Sequence, residues 1–272
     1  MLQFEINSDL CTRCGLCVQD CPARIIEQEG NAVPIIEPDR EALCYQCQHC
    51  MAVCPTAALS ILGRNPASSL PLTAESFPTL DQTSRLIRGR RSIRKYRGED
   101  VDSILIQRLL ATLANVPTGV NRRELTFTVI DRQEAMQGIR TKLYQALATA
   151  EAGRVPEYLN SAASDYSANG IDRVFRGAPH ALIVSAPPDA PCPREDVVLA
   201  LAYFDMLAQS AGLGTVWWGM LKSILESLPE LKPLFGLQPD HVYYAMLFGI
   251  PAIHYARTVQ RDDAAVIRHL TN

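Results

Sequence analysis

The chain has 272 residues with a formal net charge of −3, 47% apolar and 20% charged side chains. That length suits a small domain joined to a medium one, and the ordinary balance of apolar to charged residues excludes a disordered chain. The slight negative charge gives no reason to expect nucleic acid or an anionic membrane as a partner, and no apolar run approaches the roughly 20 residues needed to span a bilayer.

The opening residues, Leu2 to Ile6, have neither the basic start nor the apolar core of a signal peptide, so a cytoplasmic location is expected. Nine cysteines follow: eight lie between Cys11 and Cys54, and Cys192 stands alone. A secreted disulfide scaffold spreads its cysteines over the fold and uses an even total, whereas crowding into short copies points to metal ligation in a reducing compartment. The run CTRCGLCVQDCP at 11–22 returns as CYQCQHCMAVCP at 44–55, 33 residues on, each copy followed by a short apolar stretch.

Cysteines at i, i+3 and i+6 wrap one loop around three irons of a cube-like cluster, and the fourth soft thiolate comes from elsewhere. Zinc is the alternative, because CxxC pairs also hold Zn²⁺ tetrahedrally. Zinc knuckles, however, do not need a third Cys and a fourth before Pro, twice over. Residues 1–62 resemble a two-[4Fe–4S] bacterial-type ferredoxin along their whole length. In that pattern the fourth Cys of each run ligates the other cluster. The resemblance therefore implies Cys11, Cys14, Cys17 and Cys54 at one cluster, Cys44, Cys47, Cys50 and Cys21 at the second, and an electron relay rather than a substrate site.

Residues 63–83 carry three prolines and several Ser and Thr without a helical or strand period, which predicts a linker. From 84 to 272 the pattern changes to helices interleaved with short strands. Helices are expected at 84–96, 102–116, 133–152, 195–211 and 221–228, and strands at 125–130, 181–186, 214–218 and 242–248. The helix at 195–211 is nearly apolar all round and is expected to be buried at the centre. The fold class is α+β: a small ferredoxin-like domain fused to a larger one with a central antiparallel or mixed sheet flanked by helices.

The second domain opens on RLIRGRRSIRKYR, seven basic side chains in thirteen positions. A solvated basic face and a nucleic-acid patch are the ordinary readings. Arg90, Arg91, Ser92 and Arg94, with Ile87 and Ile93 to bury, also suit a phosphate monoester, whose oxygens accept guanidinium forks.

RRSIRKYRGEDV resembles the opening of the nitroreductase family of FMN-dependent oxidoreductases. Later segments resemble that family in the same order: Pro117-Thr118-Gly119-Val120-Asn121; Val174-Phe175-Arg176-Gly177-Ala178-Pro179; the GLGTVWWG segment at 212–219; and Leu247-Phe248-Gly249-Ile250-Pro251 followed by Arg257. The resemblance implies that Arg90, Arg91, Ser92 and Arg94 hold the phosphate, ribityl chain and pyrimidine oxygens of FMN. Arg257 would add to the phosphate site, with Arg261 a weaker candidate. Pro117, Thr118 and Asn121 would reach the flavin of the other protomer in a homodimer, while the amides of Gly219 and Met220 would face flavin N5. Arg176 would be a further flavin contact or an exposed loop arginine. Segment 150–172 departs from the family, and Tyr158, Tyr166 and Arg173 are candidates there for a substrate pocket. The paired Trp217-Trp218 is bulkier than the family's single aromatic, so one ring is expected in the core.

GLGTVWWG lacks the GxGxxG spacing of a Rossmann nicotinamide site. The five histidines show no paired metal spacing, His180 is expected to be structural, and Cys192 is given no role. No nucleophile–base pair is legible, and a flavin enzyme hardly needs one, because the cofactor carries the difficult step. The expected activity is passage of electrons from the clusters to FMN and on to a small nitroaromatic, quinone or enone acceptor, supplied by an external low-potential donor, either ferredoxin or NAD(P)H-linked. The alternatives are a dedicated reductase or dehydrogenase of one metabolite, and a redox sensor or electron-storage protein that turns over no organic substrate.

Overall fold

The computed structural model describes residues 2–261 and 265–271. The chain divides into two units, Met1–Pro78 with Val120–Arg122, and Thr79–Gly119 with Arg123–Asn272.

The first unit carries the sequence repeat into the backbone. β1 (Glu5–Ile6) pairs antiparallel with β4 (Leu59–Ser60), and β2 (Ile26–Glu27) with β3 (Ile35–Ile36). Between them lie two single-turn helices, α1 (Leu16–Gln19) and α2 (His49–Ala52). Left-handed residues fall at the same register in both copies: Arg13 and Gln46, Gly15 and Gln48, Arg24 and Ala57, with φ between 53° and 71°. Five of these six have a Cβ, which makes that conformation costly; the cysteine loops hold it twice over. Ile25, Leu59 and Ile61, each 1% exposed, form the small core beneath the loops.

The second unit begins with α3 (Leu80–Gly89), four residues before the expected start and seven short of the expected end at 96. A capping box starts it: the Thr79 hydroxyl accepts the Gln82 N–H at 3.2 Å, and the Gln82 side chain accepts the Thr79 N–H at 2.8 Å. The helix stops because residues 90–97 leave it to run as an extended strap. There Ile93 N–H donates to the Thr215 carbonyl at 2.8 Å, Arg97 N–H to that of Ile250 at 2.9 Å, and Ala252 N–H to that of Lys95 at 3.0 Å. Tertiary pairing has overridden a stretch of good helix formers.

The order continues α4 (Ser103–Thr112), β5 (Thr126–Ile130), α5 (Gln133–Ala148), α6 (Glu157–Asn169), β6 (His180–Ala186), α7 (Pro193–Ser210), β7 (Gly214–Trp217), α8 (Gly219–Ser227) and β8 (Val242–Gly249). The sheet runs β5-β6-β8-β7, and every pair is antiparallel. β6 is buried at all seven positions, because both faces of the sheet are covered. Ala181 and Ile183 face the cluster built with α5, α6 and α8, while Leu182, Val184 and Ala186 face the one built with α4 and α7.

Two sequence expectations change here, and a third, one tryptophan ring in the core, is met. Segment 150–172 contains α6, set between Pro156 and the left-handed Gly170. α7 is buried along one face only: Val198, Leu199 and Tyr203 are 46%, 40% and 48% exposed. Of the paired tryptophans, Trp218 is the core residue, 2% exposed, with Nε1 donating to the Val174 carbonyl at 2.9 Å. Trp217 lies edge-on to Tyr244, ring centres 5.5 Å apart.

Candidate functional site

The eight cysteines of the repeat surround two separate cavities. Cys11, Cys14, Cys17 and Cys54 line one; Cys21, Cys44, Cys47 and Cys50 line the other. Each set takes three thiols from one run and the last thiol of the other. The electrostatic coupling divides the same way, since Cys17 feels Cys54 and Cys11, whereas Cys50 feels Cys47, Cys44 and Cys21. Among the described residues, no group of three or more His, Cys, Asp and Glu side chains is placed to hold one metal ion. The four cysteines of each set line one shared space, and that suits a polynuclear cluster.

Burial pushes the Cys50 thiol up to about 12 and also raises Cys17 and Cys44. Burial acts on Cys54 as well, but the N–H groups of Ala58, Thr56 and Leu59 and the Thr56 hydroxyl outweigh it and lower its pKa. Ala58 N–H lies 3.3 Å from Cys54 Sγ, and Gln46 N–H lies 3.3 Å from Cys44 Sγ. Such donors stabilise sulfur carrying negative charge, whether thiolate or cluster-bound.

In the second unit the strap brings Arg90, Arg91, Ser92 and Arg94 to the β7 edge of the sheet, where Ser92 bridges Thr215. Ile93, 6% exposed, anchors it from below. Arg90 Nη1 lies 3.4 Å from Asp205 Oδ2 on α7. Arg91 lines a pocket with Gly89, Gly212, Gly214, His254 and Tyr255. Its Nε is buried without a hydrogen-bond partner. A buried donor left unpaired costs about 1–3 kcal/mol, so a guanidinium held in this way is ready for an anion. The Arg94 side chain is exposed and donates to the Ser92 carbonyl at 3.3 Å.

Pro117 is exposed and Thr118 half-buried, its hydroxyl accepting the Arg123 N–H at 3.0 Å. Gly119 N–H donates to both oxygens of Asp196 at 3.0 and 3.2 Å. Burial raises the pKa of Asp196, partly offset by that N–H. Beyond it the chain turns through Val120, Asn121 and Arg123 at φ 45°, 57° and 56°. A β-branched residue in that region is strained by about 1–3 kcal/mol. Val120–Arg122 group with the first unit, where Asn121 Nδ2 donates to the Tyr45 carbonyl at 2.8 Å.

Gly219 and Met220 open α8 with no side-chain cap, which leaves a helix N-terminus suited to negative charge. A Cβ on Gly219 would stand 3.2 Å from the Tyr244 hydroxyl. Arg176 is exposed at φ 59°, and Arg257 and Arg261 are exposed after β8. The substrate-pocket candidates fare differently. Tyr166 stacks on Tyr144 with centres 3.8 Å apart, Arg173 pairs with Asp165 at 2.6 Å, and Tyr158 is exposed.

Asp205, Thr215 and Asp196 are the polar residues that sequence reasoning missed. The available signal for the two aspartates was their place in the mostly apolar stretch from 195 to 211, which carries three carboxylates, Glu195, Asp196 and Asp205.

A model of the nitroreductase family matches residues 87–250, and a model of the 4Fe-4S dicluster domain matches residues 10–59. An uncharacterized ferredoxin of Methanocaldococcus jannaschii is 38% identical over 62 residues, covering 22% of this chain and 95% of that one. A ferredoxin-like protein in the nif region of Sinorhizobium fredii is 35% identical over 57 residues, 20% of this chain and 88% of that one. The fold is similar to a nitroreductase with bound FMN from Bacteroides fragilis, with a TM-score of 0.54 at 20% identity over 69% of this chain and 99% of that one. It is also similar to an FMN-dependent nitroreductase from Clostridium difficile, with a TM-score of 0.51 at 18% identity over 71% and 100%.

Proposed function

Because this chain belongs to the nitroreductase family and carries a dicluster ferredoxin module, we propose that it is an iron–sulfur flavoprotein oxidoreductase. It takes low-potential electrons in at two [4Fe–4S] clusters and delivers them, with FMN as working cofactor, to a small electron-poor acceptor of the nitroaromatic, quinone or enone type. The observation that carries the flavin assignment is the buried, unpartnered Nε of Arg91 on the strap pocket. The solved relatives named above bind FMN or depend on it, which supports the same reading.

FMN, when bound, supplies the exchange between one-electron donors and two-electron acceptors. The protein's part is binding and orientation. Arg91 and the exposed Arg257 suit the phosphate, as charge-assisted donors. Arg90, Ser92 and Arg94 suit the remaining oxygens, and the open N-terminus of α8 offers N–H groups where negative charge develops. Arg176 is the least supported contact. Cys11, Cys14, Cys17 and Cys54 hold one cluster and Cys44, Cys47, Cys50 and Cys21 the other. Covalent fusion raises the effective concentration of electron donor for the flavin.

We assign the working form to a homodimer, with Pro117, Thr118 and Asn121 serving the partner's flavin; the exposed apolar side of α7 supports this. Among the described residues, no helix is long and apolar enough to cross a membrane.

The test is anaerobic reconstitution followed by titration with reduced ferredoxin and, separately, NADPH. Extraction should yield FMN, and one of the two donors should bleach its absorbance, with return on adding a quinone or nitroaromatic. No bound FMN, or flavin that photoreduced clusters fail to reduce, would sink the proposal. Reduced flavin that no organic acceptor reoxidises would favour electron storage.

A further inference from the structure

The two cysteine runs are copies in sequence, but they are braced differently. In the second run the Gln46 N–H lies 3.3 Å from Cys44 Sγ. The carbonyl of that same peptide group belongs to Tyr45 and accepts a hydrogen bond from Asn121 Nδ2 at 2.8 Å. One amide unit thus donates to a cluster ligand on one side and is held by Asn121 on the other. Asn121 comes from 76 positions along the chain, on the short segment Val120–Arg122 that groups with the first unit. In the first run the brace is local: Gln28 Nε2 donates to the carbonyls of Arg13 at 3.2 Å and Ala32 at 2.9 Å. Arg13 and Gln46 hold the same left-handed place in their runs, at φ 59° and 53°. The copies therefore match in backbone and differ in what holds them.

A hydrogen bond accepted by a peptide carbonyl polarises the peptide and strengthens the bond that its N–H gives. Hydrogen bonds to cluster sulfurs favour the reduced cluster, which carries one more negative charge, and so raise its potential. We propose that Asn121 is a positioning residue for the second cluster, that of Cys21, Cys44, Cys47 and Cys50, and raises its reduction potential through the Tyr45–Gln46 peptide. When an electron passes from the first cluster to the second, the first is oxidised and the second reduced, with no bond made or broken. The bond from Asn121 favours that direction. The inference rests on the assignment of the eight cysteines to two clusters and needs no flavin. The Asn121 amide keeps a second N–H and its oxygen for other contacts.

The test is the midpoint potential of each cluster, taken by anaerobic redox titration of the full-length reconstituted protein and read by electron paramagnetic resonance. The variants are Asn121→Gly, which removes the side chain where φ is already positive, and Asn121→Asp, which keeps its shape without the donor. The bond is exposed, so water takes over part of it and the expected effect is modest. Asn121→Gly should disfavour the reduced second cluster about threefold, a fall of about 30 mV for a one-electron couple. Asn121→Asp should lower that potential at least as far, because its carboxylate also opposes the charge the cluster gains. The first cluster should keep its potential in both variants. Repeating the titrations with Cys11→Ala, which leaves the second cluster, and with Cys47→Ala, which leaves the first, tells the two couples apart.

An asparagine with a purely structural role would lower the melting temperature and leave both potentials alone, and that result overturns the proposal. So does a shift confined to the first cluster, or one shared equally by the two. Should Asn121→Asp or the single-cluster proteins fail to assemble, Asn121→Gly in the eight-cysteine protein decides, because one couple must fall while the other stays. A protein that binds no clusters, or in which Cys44→Ala and Cys54→Ala remove the same one, fails at the ligand assignment. Two intact clusters with unshifted potentials fail only here.

Discussion

Ile93 packs so closely on Gly214 that a Cβ added to the glycine would stand 2.5 Å from Ile93 Cγ1 and 2.7 Å from its Cβ. The close approach lets the strap lie against β7, with Ile93 N–H bonded to the Thr215 carbonyl. Gly214→Ala must push the strap outward or twist Ile93 off its rotamer, costing about 1–3 kcal/mol as overpacking. Because Arg90, Arg91 and Ser92 ride on that strap, the expected result is weaker FMN binding out of proportion to the lost stability. Fluorescence titration of released FMN beside a thermal melt checks it. A variant that loses stability but binds FMN as tightly as wild type would show that the strap does not carry the flavin.

The division of the cysteines predicts which variants behave alike. Cys54→Ala should impair the same cluster as Cys11→Ala, although Cys54 lies in the second run, and Cys21→Ala should match Cys50→Ala. Each is expected to remove about half of the iron, with a single reduced-cluster signal remaining by electron paramagnetic resonance. If Cys54→Ala instead resembles Cys50→Ala, each run serves its own cluster and the exchange is wrong. FMN should be retained in all four variants.

Local spacing made much of this legible. The repeat at 11–22 and 44–55 is chemistry written at short range, and the four strands of the second unit lie within a residue or two of their expected positions. What the sequence hid depends on partners far along the chain. RRSIRKYR reads as helix because its residues are helix formers; it is extended because Thr215, Ile250 and Ala252 pair with its backbone. α6 has its start and stop signals in Pro156 and Gly170, but its run EYLNSAASDYSAN is mostly small and polar with only a weak apolar stripe, so its helical period is faint in the sequence. Asp205 was invisible for a different reason: its meaning lies in Arg90, 115 positions away in sequence and 3.4 Å away in space.

His180 gives a pH dependence with a definite sign. It is fully buried, its Nε2 accepts the Val101 N–H at 2.9 Å, and its ring lies 5.1 Å from that of Phe248. Burial lowers its pKa below 6.5, against the opposing pull of Asp100 at 3.8 Å. Above 6.5 the ring is neutral in both folded and unfolded chains and contributes no slope. As pH falls through 6.5, the unfolded chain takes up a proton that the folded one refuses. Stability is therefore lost on the acid side, by at most about 1.4 kcal/mol per pH unit from this group. His180→Gln keeps an acceptor for Val101 and should flatten that part of the curve between pH 6.5 and 5. Denaturant melts across that range measure it, and equal slopes in both proteins would rule His180 out as the source.

The outer side of α7 carries the prediction about assembly. Leu199 and Tyr203 are one turn apart, with Val198 beside them, so three large apolar side chains at 40–48% exposure share one stretch of helix. The inner face of the same helix is committed to the core through Val197, Leu201 and Phe204, so α7 cannot rotate to bury the exposed side. A second copy of the chain can cover it. Tyr203→Glu places a charge in that contact, where an unpaired buried charge costs several kcal/mol, and is expected to convert a dimer to a monomer at micromolar concentration. Sedimentation equilibrium reports the change. FMN affinity should fall with it, because Pro117, Thr118 and Asn121 would no longer reach a partner's flavin. A monomeric wild type, or a Tyr203→Glu variant that remains dimeric with full FMN affinity, would move the interface away from α7.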